Sequence, residues 1–285
     1  MISREEDFPM NDLSFRGGLG VRKGVLLLHG LTGAPAEMRL VGRRLSRAGF
    51  AIHAPLLAGH GGSVSDLLRT GWRDWLATAR EAFHELAGEV DEVYVAGICV
   101  GGALGLALCA EFPQIRGAAV YSMTFEYDGW NMPRWATAAP LIQLVAHLPL
   151  IRRIAFNEPY PYGLKDLRLR EMASRPDALI EGAIDRLPLG ALYDMYRLGR
   201  RIEQLGPRIV TPTLIVHADE DDMSHPRNAE RLVAALAGPS EILRLDDSYH
   251  MVHVDRQHRR VADRTAAFFG APLAVRATAS EPVDA

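Results

Sequence analysis

"EVYVAGICVGGALG", Glu92 to Gly105, is the stretch on which the fold turns. Glu92 to Gly97 is a short apolar run of the kind that forms a buried strand, and Cys99 to Phe112 reads as a helix stopped by Pro113. Between them stands Gly97-Ile98-Cys99-Val100-Gly101, the frame of a sharp strand-to-helix turn with a nucleophile at its apex. Such a turn projects its central side chain clear of the sheet. It also needs residues without side chains two positions before and after, where the backbones pack closely. The partial positive charge of the following helix N-terminus favours an anionic sulfur at Cys99. The same five residues also suit a cysteine that merely fills a strand–helix junction, so the rest of the chain has to decide.

On either side, strands alternate with helices. "GVLLLHG" (Gly24–Gly30), "AIHAPLL" (Ala51–Leu57), "GAAVYS" (Gly117–Ser122), "TLIVHAD" and "EILRLD" read as strands. "AEMRLVGRRLSRAGF", "WRDWLATAREAFHEL", "PRNAERLVAALAG" and "VDRQHRRVADRTAAFFG" read as helices. Parallel neighbours need crossover connections, so this rhythm predicts an α/β fold with a doubly wound, mostly parallel sheet. The rhythm breaks between Thr124 and Gly206, where short helical patterns such as "APLIQLVAHLPLI" and "GALYDMYRLGRRIEQL" occur without a convincing strand. The expected organisation is a core of residues 1–123 and 207–270, an inserted helical cap of residues 124–206, and a flexible Ala/Pro-rich tail of residues 271–285.

Composition bounds the function. In 285 residues, hydrophobic residues make up 48% and the formal net charge is −3, values of a soluble globular chain without the basic excess that nucleic acid demands. No apolar stretch is long enough to span a membrane, and the acidic N-terminus does not read as a secretory signal. Two cysteines, Cys99 and Cys109, are too far apart along one helix to pair, which points to a reducing cytoplasm.

The chemistry lies at strand ends. The Gly-rich "HGLTGAP" (His29–Pro35) leaves backbone N–H groups free, and the amides of Leu31 and Val100 are the expected pair for a developing oxyanion. His29 reads as structural and His60 as a turn residue. "HADEDDMSHP" offers Asp219, Glu220, Asp221 and Asp222, and "DDSYHMVHVD" offers His250 and His253; spacing does not choose within either set. Two histidines without a third ligand make a poor metal site, and no cofactor is expected. The chain order is nucleophile, acid, histidine.

With these segments, the sequence resembles the α/β-hydrolase superfamily, in particular small bacterial carboxylesterases and monoacylglycerol-lipase-like enzymes. The resemblance rests on "SFRGGLGVRKGVLLLHGLTGAP", "LLAGHGGS", "GWRDWL", the elbow, "TPTLIVHADEDDM" with Pro226, and "DDSYH". It implies Asp221 as the acid, with Asp219 as second choice, and His250 as the base. His253 is left as a helix-start residue.

The departure is Cys99, where these esterases carry Ser; dienelactone hydrolases and polyhydroxyalkanoate synthases are relatives with Cys. A Cys-His-Asp triad of Cys99, His250 and Asp221 implies hydrolysis of small carboxylic esters or thioesters through an acyl-thioester intermediate. Two alternatives are transfer of the acyl group to an acceptor other than water, and a non-catalytic ligand-binding or sensing role. The aromatic residues Phe125, Tyr127, Trp130, Trp135, Phe156, Tyr160 and Tyr162 are candidates either to line an acyl pocket or to hold the cap down. Arg197, Arg200 and Arg201 read as a solvated helix face.

Overall fold

The computed structural model describes residues 12–15, 21–132, 145, 148–174 and 183–270. Seven strands form the main sheet: β1 (Asp12–Phe15), β2 (Lys23–Leu28), β3 (Ala51–Pro55), β4 (Glu92–Ile98), β5 (Ala118–Tyr121), β8 (Thr213–Ala218) and β9 (Ser240–Leu245). Their order is β1-β3-β2-β4-β5-β8-β9. β1 runs antiparallel to β3 at one edge, and the other neighbours are parallel. The central parallel strands β2, β4, β5 and β8 are buried on both faces, as Val25, Leu26, Leu27 and Leu28 illustrate, which is why they read as apolar runs. Each such side chain contributes about 2 kcal/mol through burial.

Helices cover the sheet. α1 (Arg39–Arg47) packs on the final helix, α9 (His258–Gly270), while α3 (Trp72–Glu89) packs beside α4 (Val100–Glu111). α2 (Val64–Leu68) is a short helix between β3 and α3, opened by a Ser63–Asp66 capping box. α4 is buried from Val100 to Ala110, apolar all round because it lies between β4 and β5 and the long helix α7 (Leu189–Leu205). α8 (Arg227–Ala235) packs on β8 and β9.

Between β5 and β8 the chain leaves the main sheet. Here the structure corrects the expectation of helices alone: β6 (Ala155–Asn157) and β7 (Arg186–Pro188) form a two-stranded antiparallel sheet, with Phe156 opposite Leu187. Three residues are too few for a period-two pattern to stand out, and β7 runs straight into α7. α5 (Pro149–Arg152) and α6 (Leu167–Ala173) are the short helices of this segment. Most of the helical pattern at 139–151, Trp135 and the tail at 271–285 lie outside the described residues.

Two histidines brace the ends of β2 and β3. Leu57 N–H donates to His29 Nε2 at 3.1 Å, so Nδ1 carries the proton and faces the Gly30 carbonyl at 2.9 Å. His60 packs edge-on against both His29 and Trp75. Burial pushes His29 well below the usual imidazole range and His60 down to about 4, so both stay neutral, in line with their structural reading.

The elbow's glycines are dictated by contact. A Cβ on Gly97 would stand 2.5 Å from the Gly101 carbonyl carbon, and one on Gly101 would stand 2.1 Å from the Leu28 carbonyl oxygen. Backbone cannot yield as a flexible side chain does. Gly101→Ala is therefore expected to destabilise the protein by more than about 2 kcal/mol in denaturant unfolding. Gly88→Ala, in the open on α3, is expected to be neutral or to stabilise by about 0.5 kcal/mol. Equal behaviour of the two variants would contradict the close approach.

Candidate active site

Cys99 stands between β4 and α4 with φ 50° and ψ −110°. This is a conformation that a residue with a side chain adopts only under tertiary constraint. Its N–H donates to the Tyr121 carbonyl at 2.9 Å, and its own carbonyl accepts from Ala103 at 3.1 Å. The apex is thus tied to β5 on one side and to α4 on the other. Cys99 and Cys109 are free thiols, and burial lifts the Cys109 thiol to about 12, which leaves that sulfur inert.

His250 follows β9, and both its peptide groups are held. Its N–H donates to Asp222 Oδ1 at 3.3 Å, and its carbonyl accepts from Ser122 Oγ at 2.6 Å. The ring is set by Asp221, whose Oδ2 lies 2.9 Å from Nδ1. Nδ1–H therefore donates to the carboxylate, which leaves Nε2 free of Asp221, and Cys99 lies close enough to the ring to help raise it. The structure thus brings Cys99, His250 and Asp221 into one array.

The electrostatics of the array follow from burial and pairing. Asp221 is fully enclosed, which by itself would raise its carboxyl. The His250 charge and hydrogen bond, aided by His217 and the Ser224 amide, outweigh burial and hold it below the usual carboxylate range. Its Oδ1 accepts from Met223 N–H at 2.9 Å and Ser224 N–H at 2.8 Å. Burial likewise opposes the charged form of His250. The Asp221 charge and hydrogen bond, with a further contribution from Cys99, hold the imidazole well above its ordinary value.

Asp219 has a different environment. It pairs with Arg244 at 2.5 Å on the surface, away from His250. His253 is fully buried in the turn before α9, five residues ahead of the helix, which corrects its reading as a helix-start residue. Burial pushes its ring down to about 3, so it stays neutral.

Among the described residues, neither the Leu31 nor the Val100 amide donates a hydrogen bond to another protein group. Val100 is the first residue of α4, where an N–H has no helical acceptor. Leu31 precedes Thr32, whose φ of 65° bends the chain, and Thr32 Oγ1 reaches Glu158 Oε1 at 3.1 Å. Burial raises the Glu158 carboxyl, against the Thr32 hydrogen bond and the charge of the nearby His250. Tyr127 and Tyr196 are buried beside Cys99, and desolvation, then the neighbouring negative groups, raises both phenols. Of the other aromatics, Phe125 is buried under Arg231, whereas Trp130 is exposed and donates from Nε1 to the Glu220 carbonyl. Arg197, Arg200 and Arg201 are exposed on one face of α7.

The sequence reading missed Ser122, His217 and Glu158. Asp222 was among the acids named, but its task of holding the His250 amide and the Gly163 amide at 3.2 Å appears only after folding. Among the described residues, no group of three or more His, Cys, Asp or Glu is arranged to hold a metal. No described helix is long and apolar enough to cross a membrane.

Comparison with known proteins bears on the family and the fold. The sequence profile of the family described as serine aminopeptidase, S33, matches residues 20–257. A thermostable monoacylglycerol lipase from Bacillus sp. (strain H-257) is 29% identical over 247 residues, 86% of this chain and 90% of that protein. A carboxylesterase from Bacillus subtilis (strain 168) is 38% identical over 105 residues, 36% of this chain and 41% of that one. A solved structure from work on LipS and LipT, two metagenome-derived lipolytic enzymes, superposes with TM-score 0.75 at 25% identity, covering 91% of this chain and 97% of that one. The Paleococcus ferrophilus monoacylglycerol lipase shares the fold with TM-score 0.74 at 17% identity, covering 92% of this chain and 98% of that one. With the profile spanning most of its length and the fold shared almost end to end, the protein belongs to the serine aminopeptidase S33 family of the α/β-hydrolase superfamily.

Proposed function

We propose that this protein is a carboxylic ester hydrolase that uses Cys99 as nucleophile, His250 as general base and acid, and Asp221 as the carboxylate that orients and charges the imidazole. The observation that supports it most is the single line of contacts from Asp221 through His250 to the sulfur at the strained apex. The lipase and esterase names of its relatives support the choice of ester bonds. Segment 124–206 is the cap of this reading, since Tyr127, Glu158 and Tyr196 approach the reacting groups from it.

The cycle runs in two halves. The Cys99 sulfur attacks the acyl carbon, and the carbonyl electron pair moves onto oxygen, which the Leu31 and Val100 N–H groups receive. Collapse breaks the bond to the leaving alcohol, or thiol, which takes the proton from His250 Nε2. An acyl-thioester on Cys99 remains. Water then attacks as His250 removes its proton, and collapse of the second tetrahedral species expels the sulfur and releases the acid. Peptides are poor substrates on this reading. Thiolate leaves more readily than an amine, so the first intermediate reverts unless the amine is protonated.

Incubation with short-chain p-nitrophenyl esters, read by intact mass and peptide mapping, is expected to show one acyl adduct, on Cys99. Iodoacetamide is expected to prevent it. Cys99→Ala should abolish turnover, and Cys99→Ser should hydrolyse esters without sensitivity to iodoacetamide. An adduct elsewhere, or turnover unchanged in Cys99→Ala, would overturn the assignment.

The acids give a second test. Asp221→Asn should lower turnover by about 10³-fold or more, since the imidazole loses its fixed tautomer and its counter-charge. Asp219→Asn removes only a surface pair with Arg244 and should keep turnover within about twofold of the native value. The reverse ranking would transfer the role to Asp219.

A further inference from the structure

Glu37 is a buried acid that the cycle above does not use. It is 5% exposed and stands at the end of the short 3₁₀ turn Pro35–Met38, just after the Gly-rich "HGLTG" loop. Its side chain turns back seven residues. Oε1 accepts from the Gly30 N–H at 2.6 Å, and Oε2 fills the space beside Gly33, where a Cβ would stand only 2.3 Å away. A surface acid gains nothing from this position, since burial lifts its carboxyl to about 7 while the Gly30 hydrogen bond works against that rise.

The consequence lies in the next peptide. The Gly30 carbonyl accepts from Gly33 N–H at 3.2 Å and faces His29 Nδ1 at 2.9 Å. A trans peptide is planar, with C=O and the following N–H pointing in opposite directions. Two contacts to the Gly30 oxygen therefore fix the direction of the Leu31 N–H. Glu37 holds the peptide before it, so Gly30 is clamped on both sides and the loop cannot rotate about this residue.

We propose that Glu37 is a positioning residue of the acyl-transfer site: its side chain locks Gly30 so that the Leu31 N–H stays aimed at the developing oxyanion. The inference rests on the reading of Leu31 as an oxyanion donor. The role is geometric, because a carboxyl oxygen accepts from Gly30 whether or not the acid carries a proton. A glutamine keeps the acceptor and an alanine does not.

Two reactions of the same sulfur separate this role from a general loss of structure. Acylation by p-nitrophenyl acetate builds charge on a carbonyl oxygen and needs the Leu31 amide. Alkylation by iodoacetamide displaces iodide at a saturated carbon and creates no oxyanion. In Glu37→Ala the acylation rate and kcat should fall about tenfold or more with KM little changed, since small misplacements of such donors are costly. Alkylation of Cys99, followed by mass, should stay within about twofold of native. Glu37→Gln should restore acylation, and Gly33→Ala, which displaces the carboxyl from its seat, should copy Glu37→Ala. Native acylation in Glu37→Ala, or acylation and alkylation falling together in both Glu37→Ala and Gly33→Ala, would overturn the proposal. If the unsubstituted protein forms no adduct on Cys99 with either reagent, the nucleophile assignment falls, and this inference with it.

Discussion

The site depends on a close approach of backbones. β4 delivers the chain to Cys99, α4 carries it away, and the two can meet only because Gly97 and Gly101 have no side chains. That contact makes the positive φ of Cys99 affordable to the fold. The apex is over-determined: a hydrogen bond to Tyr121 ties it to β5, and α4 is buried on every side. A strained residue held this way does not relax into the core, so its side chain keeps the direction that the turn gives it.

Around the apex, the charged groups are arranged by burial more than by surface pairing. Asp221 is out of water, and two backbone amides and an imidazole satisfy it. A buried carboxylate with those partners remains ionised and makes a rigid counter-charge for His250. His217 supports the same hub. Its Nε2 lies 2.9 Å from the Ser224 carbonyl and 3.4 Å from Asp221, and burial keeps the ring low, so it adds no permanent charge. Asp222 and Ser122 fix the His250 backbone rather than its ring. His250 is therefore held at three points, two on its backbone and one on its ring, and Nε2 is not engaged by Asp221.

Much of this was legible in the chain. The two-face burial of the parallel strands leaves unbroken apolar runs, and the elbow's glycines follow one of them directly. The edge strand β1 and the short β6 and β7 were not legible, since they are brief and lack the continuous apolar run that marks the equally short β5. The choice of acid was not legible from spacing either: Asp219, Asp221 and Asp222 share one loop, and what separates them is tertiary. Arg244 takes the first, the Met223 and Ser224 amides with the His250 ring take the second, and the His250 and Gly163 amides take the third. Resemblance to known hydrolases implies Asp221, where residue patterns leave the choice open. Glu37 was silent for a related reason, because its link to Gly30 exists only after the Gly-rich loop has closed.

On the proposed reading, Cys99 and His250 form one electrostatic unit. The most direct measurement is an NMR titration of the His250 ring, assigned by comparison with His250→Gln, in the native protein and in Cys99→Ala. The imidazole is expected to stay protonated well above the usual range in the native protein and to titrate lower once the sulfur is gone. A His250 ring that titrates identically in both would mean that the sulfur and the imidazole do not meet.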